Sequence, residues 1–159
     1  MEKLRRESGR RIDAGAIETL YRAEYARMVR LAYTLVSNTA EAEELVQDSF
    51  VEVHRRAHEI REPAAYLRTA VVSKCRSHLR RRRVMQLHAP RPPETLPDRV
   101  SHLWDVLAKL SEDQRIAVVL RYYGQYRASE IAEIMDIPSS TVRSHVKRGL
   151  QLLRRELDQ

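Results

Sequence analysis

Residues 128–153 read ASEIAEIMDIPSSTVRSHVKRGLQLL and decide the fold of the second half of the chain. The pattern predicts a short helix over Ala128–Met135, a tight turn at residues 136–138, and a longer helix capped by Ser139 or Ser140. Apolar residues recur at three- and four-residue spacing, so one stripe faces inward. The stripe consists of Ile131, Met135, Ile137, Val142, Val146, Leu150 and Leu153. Two helices joined by so short a turn predict a helix-turn-helix.

The outer face of the longer helix is rich in hydrogen-bond donors, and no carboxylate lies between Pro138 and Arg155. Such donors suit DNA phosphates and base edges in the major groove. The face consists of Ser140, Thr141, Arg143, Ser144, Lys147 and Arg148. A basic outer face also occurs on ordinary solvated helices. The small Ala132 at a helix crossing and Asp136, which tolerates left-handed backbone, favour DNA binding.

Charge is unevenly distributed along the 159 residues, whose formal net charge is +7. Residues 64–83 hold seven lysines and arginines and no acid, whereas residues 41–59 hold six acids and two arginines. A strongly basic balance favours a polyanionic partner. The distribution therefore predicts one surface for phosphate and another for a basic protein.

Several classes of function have no support in the sequence. The single cysteine excludes an internal disulfide, and no secretory or membrane-spanning run is present, so we expect a cytoplasmic protein without membrane insertion. No Cys-x-x-Cys pair occurs, and no histidine has a glutamate three residues before it. Gly-x-Gly and P-loop patterns are also missing. We therefore expect no metal, no cofactor and no catalytic site, and hence no enzyme.

Apolar spacing in the first half predicts three helices, over residues 16–36, from 38 to about 57, and from 64 to about 83. Asn38, followed by Glu41, resembles a capping box for the second helix, and Pro63 suits the first turn of the third. The residues expected to be buried are Ala42, Leu45, Val46, Phe50, Val53, Leu67, Val71 and Leu79, with Cys75 as a small interior residue.

The predicted fold is all-α, with two small helical domains joined by a flexible linker. A basic mobile tail covers residues 1–15, a three-helix domain 16–83, a proline-rich linker 84–99, and a four-helix domain 100–159. In the second domain, a helix over residues 102–110 precedes one opened by a capping box at Ser111 and Gln114. Gly124 is expected to end that helix before the helix-turn-helix.

Two features of the first domain allow more than one interpretation. The second helix exposes five polar residues, Glu41, Glu44, Gln47, Asp48 and Glu52. Glu44 and Asp48 are adjacent at four-residue spacing, which costs a few tenths of a kcal/mol. This face either meets a cationic partner or is simply solvated. Tyr66 either offers a ring on which an unpaired base stacks or is a core aromatic.

Three stretches, in this order and with a proline-rich linker before the last, resemble the extracytoplasmic-function (ECF) group of bacterial RNA polymerase sigma factors, in the sigma-70 family. They are AEAEELVQDSFVEVHRR at residues 40–56, AAYLRTAVVSKCRSHLRRRR at residues 64–83, and the stretch from Leu110 to Arg154. The resemblance covers nearly all of the chain except the tail. It implies that the first domain is sigma region 2 and the second is sigma region 4.

The resemblance also implies partners and site residues. Region 2 would bind the beta-prime clamp of core RNA polymerase through Glu44, Gln47 and Asp48. It would bind and melt the minus-ten promoter element through His54, Arg61, Tyr66, Arg68, Ser73, Arg76 and Arg80. Region 4 would bind the beta flap and read the minus-thirty-five element through Ser140, Thr141, Arg143, Ser144, Lys147 and Arg148. An anti-sigma factor is implied as a further partner.

The chain departs from the family pattern at several of these positions. The family frequently has tryptophan where Tyr66 and His54 stand, asparagine at Ser73, arginine at His145 and glycine at Asp136. These departures leave the promoter sequence open. The main alternative is a stand-alone helix-turn-helix regulator that binds duplex operator DNA without polymerase. An enzyme or RNA-processing factor is the other class considered, and it lacks a ligand or nucleophile constellation.

Overall fold

The computed structural model describes residues 12–85 and 98–158, and these residues form seven α-helices, which confirms the all-α prediction. The predicted tail up to residue 11 and the linker over residues 86–97 lie outside the described residues. The helices are α1 (Ala14–Val36), α2 (Thr39–Arg55), α3 (Pro63–Val84), α4 (Asp98–Ala108), α5 (Glu112–Tyr122), α6 (Ala128–Met135) and α7 (Ser139–Leu157).

The ends of the first three helices follow local chemistry. Asp13 caps α1 by accepting a hydrogen bond from Ala16 N, so the prediction of a tail reaching residue 15 is wrong. Asn38 caps α2 by accepting from Glu41 N at 2.9 Å. The carboxylate of Glu41 does not complete the predicted capping box and instead pairs with Arg82 at 2.8 Å. It thereby ties the start of α2 to the end of α3.

The helix-turn-helix forms where the sequence predicts it, with one error at the start of α7. Asp136 adopts the expected left-handed backbone (φ 53°) after α6. Neither Ser139 nor Ser140 caps α7, because the extended backbone of Pro138 already occupies the N-cap position and both serines lie in the first turn. The predicted capping box of α5 at Ser111 and Gln114 is confirmed.

One continuous cluster of buried residues runs through both halves of the described chain. All of the residues predicted to be buried on α2 and α3 belong to it, and so do Ile116 and Leu120 of α5, Ile131 of α6 and Val142 of α7. Helix α3 packs against α5 and α6, and α1 packs against α5. A smaller cluster, which includes Val106 of α4 and Leu153 of α7, lies between α4, α5 and α7. The two helical groups are therefore in direct contact.

Arg115 on α5 is a buried arginine that no pattern in the sequence predicts. Its guanidinium donates hydrogen bonds to Leu107 O at 3.0 Å, to Ala108 O at 3.2 Å and to Leu35 O at 3.4 Å. Burial lowers the pKa of Arg115. The carbonyl groups in the last turn of α4 lack the helical N–H partner four residues on, and Leu107 O accepts a hydrogen bond from Leu110 N at 3.2 Å instead. Arg115 donates to the carbonyl groups of Leu107 and Ala108 and joins α4 to the end of α1.

Gly124 directly follows the C-cap of α5, where the sequence places the end of the helix, but it has no left-handed backbone and is required for close packing. Helix α5 stops at Tyr122, and the left-handed residue after it is Gln125 (φ 57°). A Cβ at Gly124 would lie 2.6 Å from the Tyr126 ring and 2.9 Å from Leu120 O. The glycine therefore lets the chain turn tightly against the buried Tyr126.

Gly124→Ala is expected to destabilise the protein by about 1–3 kcal/mol, because the added methyl group forces backbone or ring to shift. Urea unfolding followed by circular dichroism measures this change. Gly15→Ala is the matched control, since a Cβ there meets no atom closer than Asp13 Oδ1 at 3.4 Å. The control is expected to be neutral or slightly stabilising. Equal effects of the two substitutions would contradict the steric explanation.

Candidate functional site

Helix α2 presents an acidic face opposite its buried side. Glu44, Gln47 and Asp48 are exposed there. Gln47 Nε2 donates to Tyr25 Oη at 3.4 Å. The other two acids expected on this face, Glu41 and Glu52, are half-buried and paired with α3, so that part of the prediction is wrong. The face that can meet a basic partner is thus narrower than the sequence indicates, and its centre is Glu44 and Asp48.

Tyr66 lies half-buried at the junction of α2 and α3. Its hydroxyl donates to Glu52 Oε1 at 2.6 Å and accepts from Arg56 Nη1 at 2.9 Å. The pKa of Glu52 is lowered, mainly by the hydrogen bond from Tyr66 and next by the hydrogen bond from Lys74. The pKa of Tyr66 is raised, mainly by the same hydrogen bond to Glu52. The Arg56 guanidinium carbon lies 5.5 Å from the ring centroid. Both the hydroxyl and the ring are therefore fixed in position.

An open cleft of about 340 Å³ lies beside Tyr66. Its lining includes Arg56, Ile60, Arg61, Tyr66 and Thr69. Two of the residues expected at the minus-ten element, Arg61 and Tyr66, thus lie together. His54 is exposed near the end of α2 and is not among the residues that line the cleft.

The remaining residues expected at the minus-ten element lie along α3 in two different states. Ser73 and Arg80 are exposed. Arg68 and Arg76 are half-buried, because α5, α6 and the loop between them cover these arginines. Arg76 pairs with Asp113 of α5, and Arg68 lies over the ring of Tyr126. The sequence predicts an open basic face here and gives no sign of this contact.

Helix α7 carries the row of donors that the sequence predicts. Ser140, Arg143, Ser144, Lys147 and Arg148 are exposed, and Thr141 is half-buried. The opposite side of the helix packs on α5 and α6 and buries Val142, Gly149 and Leu153. Because the opposite side of α7 is buried, the donors form one continuous exposed face. A helix with such a face can lie in the major groove of DNA.

The described residues give little support for a metal site, a reactive cysteine or a membrane span. His54 and His58 have the four-residue spacing of a metal-binding pair, yet within residues 12–85 and 98–158 no group of three His, Cys, Asp or Glu could hold a metal ion. Cys75 is buried as expected, and burial raises the pKa of its thiol to about 12. Within the same residues, no helix combines the length and apolarity that a membrane span requires.

Comparison with known proteins assigns both halves of the chain. Residues 20–84 match the family model "Sigma-70 region 2", and residues 102–153 match "Sigma-70, region 4". Together the two regions define the class, a sigma-70 type RNA polymerase sigma factor. The RNA polymerase sigma-E factor of Streptomyces coelicolor is 30% identical in an alignment of 155 positions that covers 88% of this chain and 88% of that protein.

A second relative and a solved structure agree with this assignment. The ECF RNA polymerase sigma factor SigM of Mycobacterium tuberculosis is 28% identical, over 91% of this chain and 79% of its own length. The sigma factor RpoE of Bartonella quintana, solved with the anti-sigma factor NepR, has the same fold with a TM-score of 0.71. It is 22% identical and aligns over 89% of this chain and 96% of its own. The chain belongs to the ECF group of the sigma-70 family.

The membership confirms the resemblance drawn from the sequence. As a sigma factor, the protein works with core RNA polymerase at promoter DNA in transcription initiation. The alternative of a stand-alone helix-turn-helix regulator is not favoured, because the region 2 match covers the half of the chain that such a regulator would not need.

Proposed function

We propose that three surfaces divide the work of initiation. The acidic face of α2 (Glu44, Gln47, Asp48) binds the clamp of the polymerase beta-prime subunit. The cleft at Tyr66 and the basic face of α3 bind and melt the minus-ten element. The donor face of α7 reads the minus-thirty-five element. The observation that carries this proposal is that α2 exposes Glu44 and Asp48, whereas α3 and α7 expose basic residues and no acid, while each of these helices buries its apolar side.

Region 2 must supply enough free energy to separate DNA strands. Each base-pair step costs about 1.4 kcal/mol to unstack. Stacking of an unpaired base on Tyr66 returns roughly 1–3 kcal/mol. Phosphate contacts by the arginines of α3 add a contribution that falls as salt rises. The fixed hydroxyl of Tyr66 keeps its ring at the cleft, so little ordering remains when the base arrives.

The protein supplies specificity and strand separation and carries out no bond chemistry itself. It acts in the cytoplasm, where polymerase and promoter DNA are. The sigma factor RpoE of Bartonella quintana was solved in complex with the anti-sigma factor NepR. We expect an anti-sigma factor to hold this chain as well, and the beta flap of polymerase to contact region 4.

Transcription in vitro with purified core polymerase tests the proposal. The template is fragmented genomic DNA of the native host, and the 5′ ends of the transcripts are sequenced. New start sites that require the added protein, with a common pair of upstream sequence elements, are the expected result. Transcripts identical with and without the protein would refute the assignment.

Arg143→Ala is expected to weaken recognition of the minus-thirty-five element by about 1–3 kcal/mol at one base position, if Arg143 reads a base edge. Competition between the mapped promoter and variants mutated at each minus-thirty-five base measures this loss. Arg155→Ala, at an exposed arginine near the end of α7, is the matched control. Equal loss on every upstream sequence would reassign Arg143 to a phosphate contact.

A further inference from the structure

The basic face of α3, which we propose binds the minus-ten element, is partly covered by α5 of the same chain. Arg76 forms a two-point ion pair with Asp113, with Nε to Oδ1 and Nη2 to Oδ2 both at 2.7 Å. The two side chains are 22% and 27% exposed. Further along α3, Arg83 Nη1 lies 3.1 Å from Glu112 Oε2. Two carboxylates of one helix turn therefore engage two arginines of a helix that is expected to hold DNA phosphates.

An aromatic ring occupies the other end of the same face. Tyr126 is only 5% exposed, and the guanidinium carbons of Arg68 and Arg27 lie 5.5 Å and 5.7 Å from the centroid of its ring. Arg27 Nη2 also donates to the Tyr126 hydroxyl at 3.2 Å. The buried Nε of Arg68 has no hydrogen-bond partner within the part of the chain that the structure describes. Arg68 thus stacks on the ring and keeps an unused donor.

The local sequence determines where Glu112, Asp113 and Tyr126 lie. Ser111 caps α5 and sets Glu112 and Asp113 in its first turn, where carboxylates are favourable. After α5, Gly124 packs without a Cβ against Tyr126, and the left-handed Gln125 (φ 57°) turns the chain back towards α3. The tyrosine is therefore held in the groove between α1 and α3 by backbone geometry as well as by its cationic neighbours.

We propose that α5 and the α5–α6 loop mimic promoter DNA on α3. Asp113 and Glu112 take the places of backbone phosphates on Arg76 and Arg83, and the Tyr126 ring takes the place of an unpaired base on Arg68. The described conformation is then a closed state in which region 4 blocks part of the minus-ten surface. Single-stranded DNA and region 4 compete for α3, so the contact opens before the minus-ten element binds. This inference rests on the proposed function of α3.

The closed contact lowers the apparent affinity for DNA by the fraction of molecules that are open. The variant Glu112→Gln with Asp113→Asn removes both charges and nearly preserves side-chain shape. Its affinity for a fluorescein-labelled single strand carrying the mapped minus-ten sequence is expected to rise about tenfold, as half-buried charged hydrogen bonds are lost. Asp105→Asn, at an exposed acid of α4, is the matched control and is expected to leave the affinity unchanged. Circular dichroism confirms that each variant is folded.

A cross-link tests the same proposal in the opposite direction. In the variant Arg83→Cys with Glu112→Cys, a short bismaleimide joins α3 to α5, while the buried Cys75 stays unlabelled. The linked protein is expected to lose at least tenfold in affinity for the single strand. The same variant with each new thiol capped by N-ethylmaleimide is the control.

The two possible failures can be told apart. If the wild-type chain directs transcription but neither the charge variant nor the cross-link changes single-strand affinity, the contact is structural packing only and the mimicry proposal is wrong. If the wild-type chain directs no transcription with core polymerase, the proposed function itself is wrong.

Discussion

The double charge reversal Glu44→Lys with Asp48→Lys is expected to reduce the affinity for core RNA polymerase about 100-fold, since like charges facing each other across an interface cost several kcal/mol. Both side chains are exposed on α2, opposite its buried residues. The double reversal replaces two acids at four-residue spacing by two lysines, so one like-charge repulsion takes the place of another and the stability of the free protein should change little. Pull-down of core enzyme at increasing salt measures the affinity, and thermal unfolding measures the stability.

The control for this experiment is Asp105→Lys, which reverses an exposed acid on α4. Asp105→Lys makes the net charge more positive, as the double reversal does. A general effect of charge on polymerase binding would therefore appear in both variants. Core binding that survives the double reversal, with the control also unaffected, would show that α2 is not the polymerase-binding surface.

Arg115→Met is expected to lower the free energy of unfolding by about 2–4 kcal/mol, because buried polar groups that lose their partners retain the cost of desolvation. Methionine fills much of the space but leaves the carbonyl groups of Leu107, Ala108 and Leu35 without the hydrogen bonds that Arg115 donates. Urea unfolding measures the loss. The substitution should also loosen α4, whose last turn depends on this side chain.

Arg155→Met on the exposed face of α7 is the matched control and should change the stability by less than about 0.5 kcal/mol. If Arg115→Met proves neutral or stabilising, as replacement of a buried charge by an apolar side chain sometimes is, then the hydrogen bonds of Arg115 contribute no net stability.

The sequence predicts the helices and their buried sides well because both depend on local rules. The caps at Asn38 and Ser111 and the left-handed Asp136 follow from the chemistry of single residues. The apolar periodicity of α2 predicts its buried residues correctly, because this helix packs against the core with one side only. The same rule identifies the donor face of α7 by exclusion.

The contact between the two helical groups could not be predicted in this way. It depends on arginines that are far apart in the chain from their partners, such as Arg76 with Asp113 and Arg68 with Tyr126. A basic helix face has the same pattern whether its partner is DNA or another part of the chain. Glu52 is a similar case, since its pairing with Lys74 and Tyr66 depends on the packing of α2 on α3.

Promoter opening with and without core polymerase tests the division into three surfaces most directly. A duplex carrying the mapped promoter, with 2-aminopurine in the minus-ten element, reports strand separation by its fluorescence. We expect an increase only when this protein and core enzyme are both present, and none with either alone. Tight duplex binding by the protein alone, with no opening after core enzyme is added, would contradict the account.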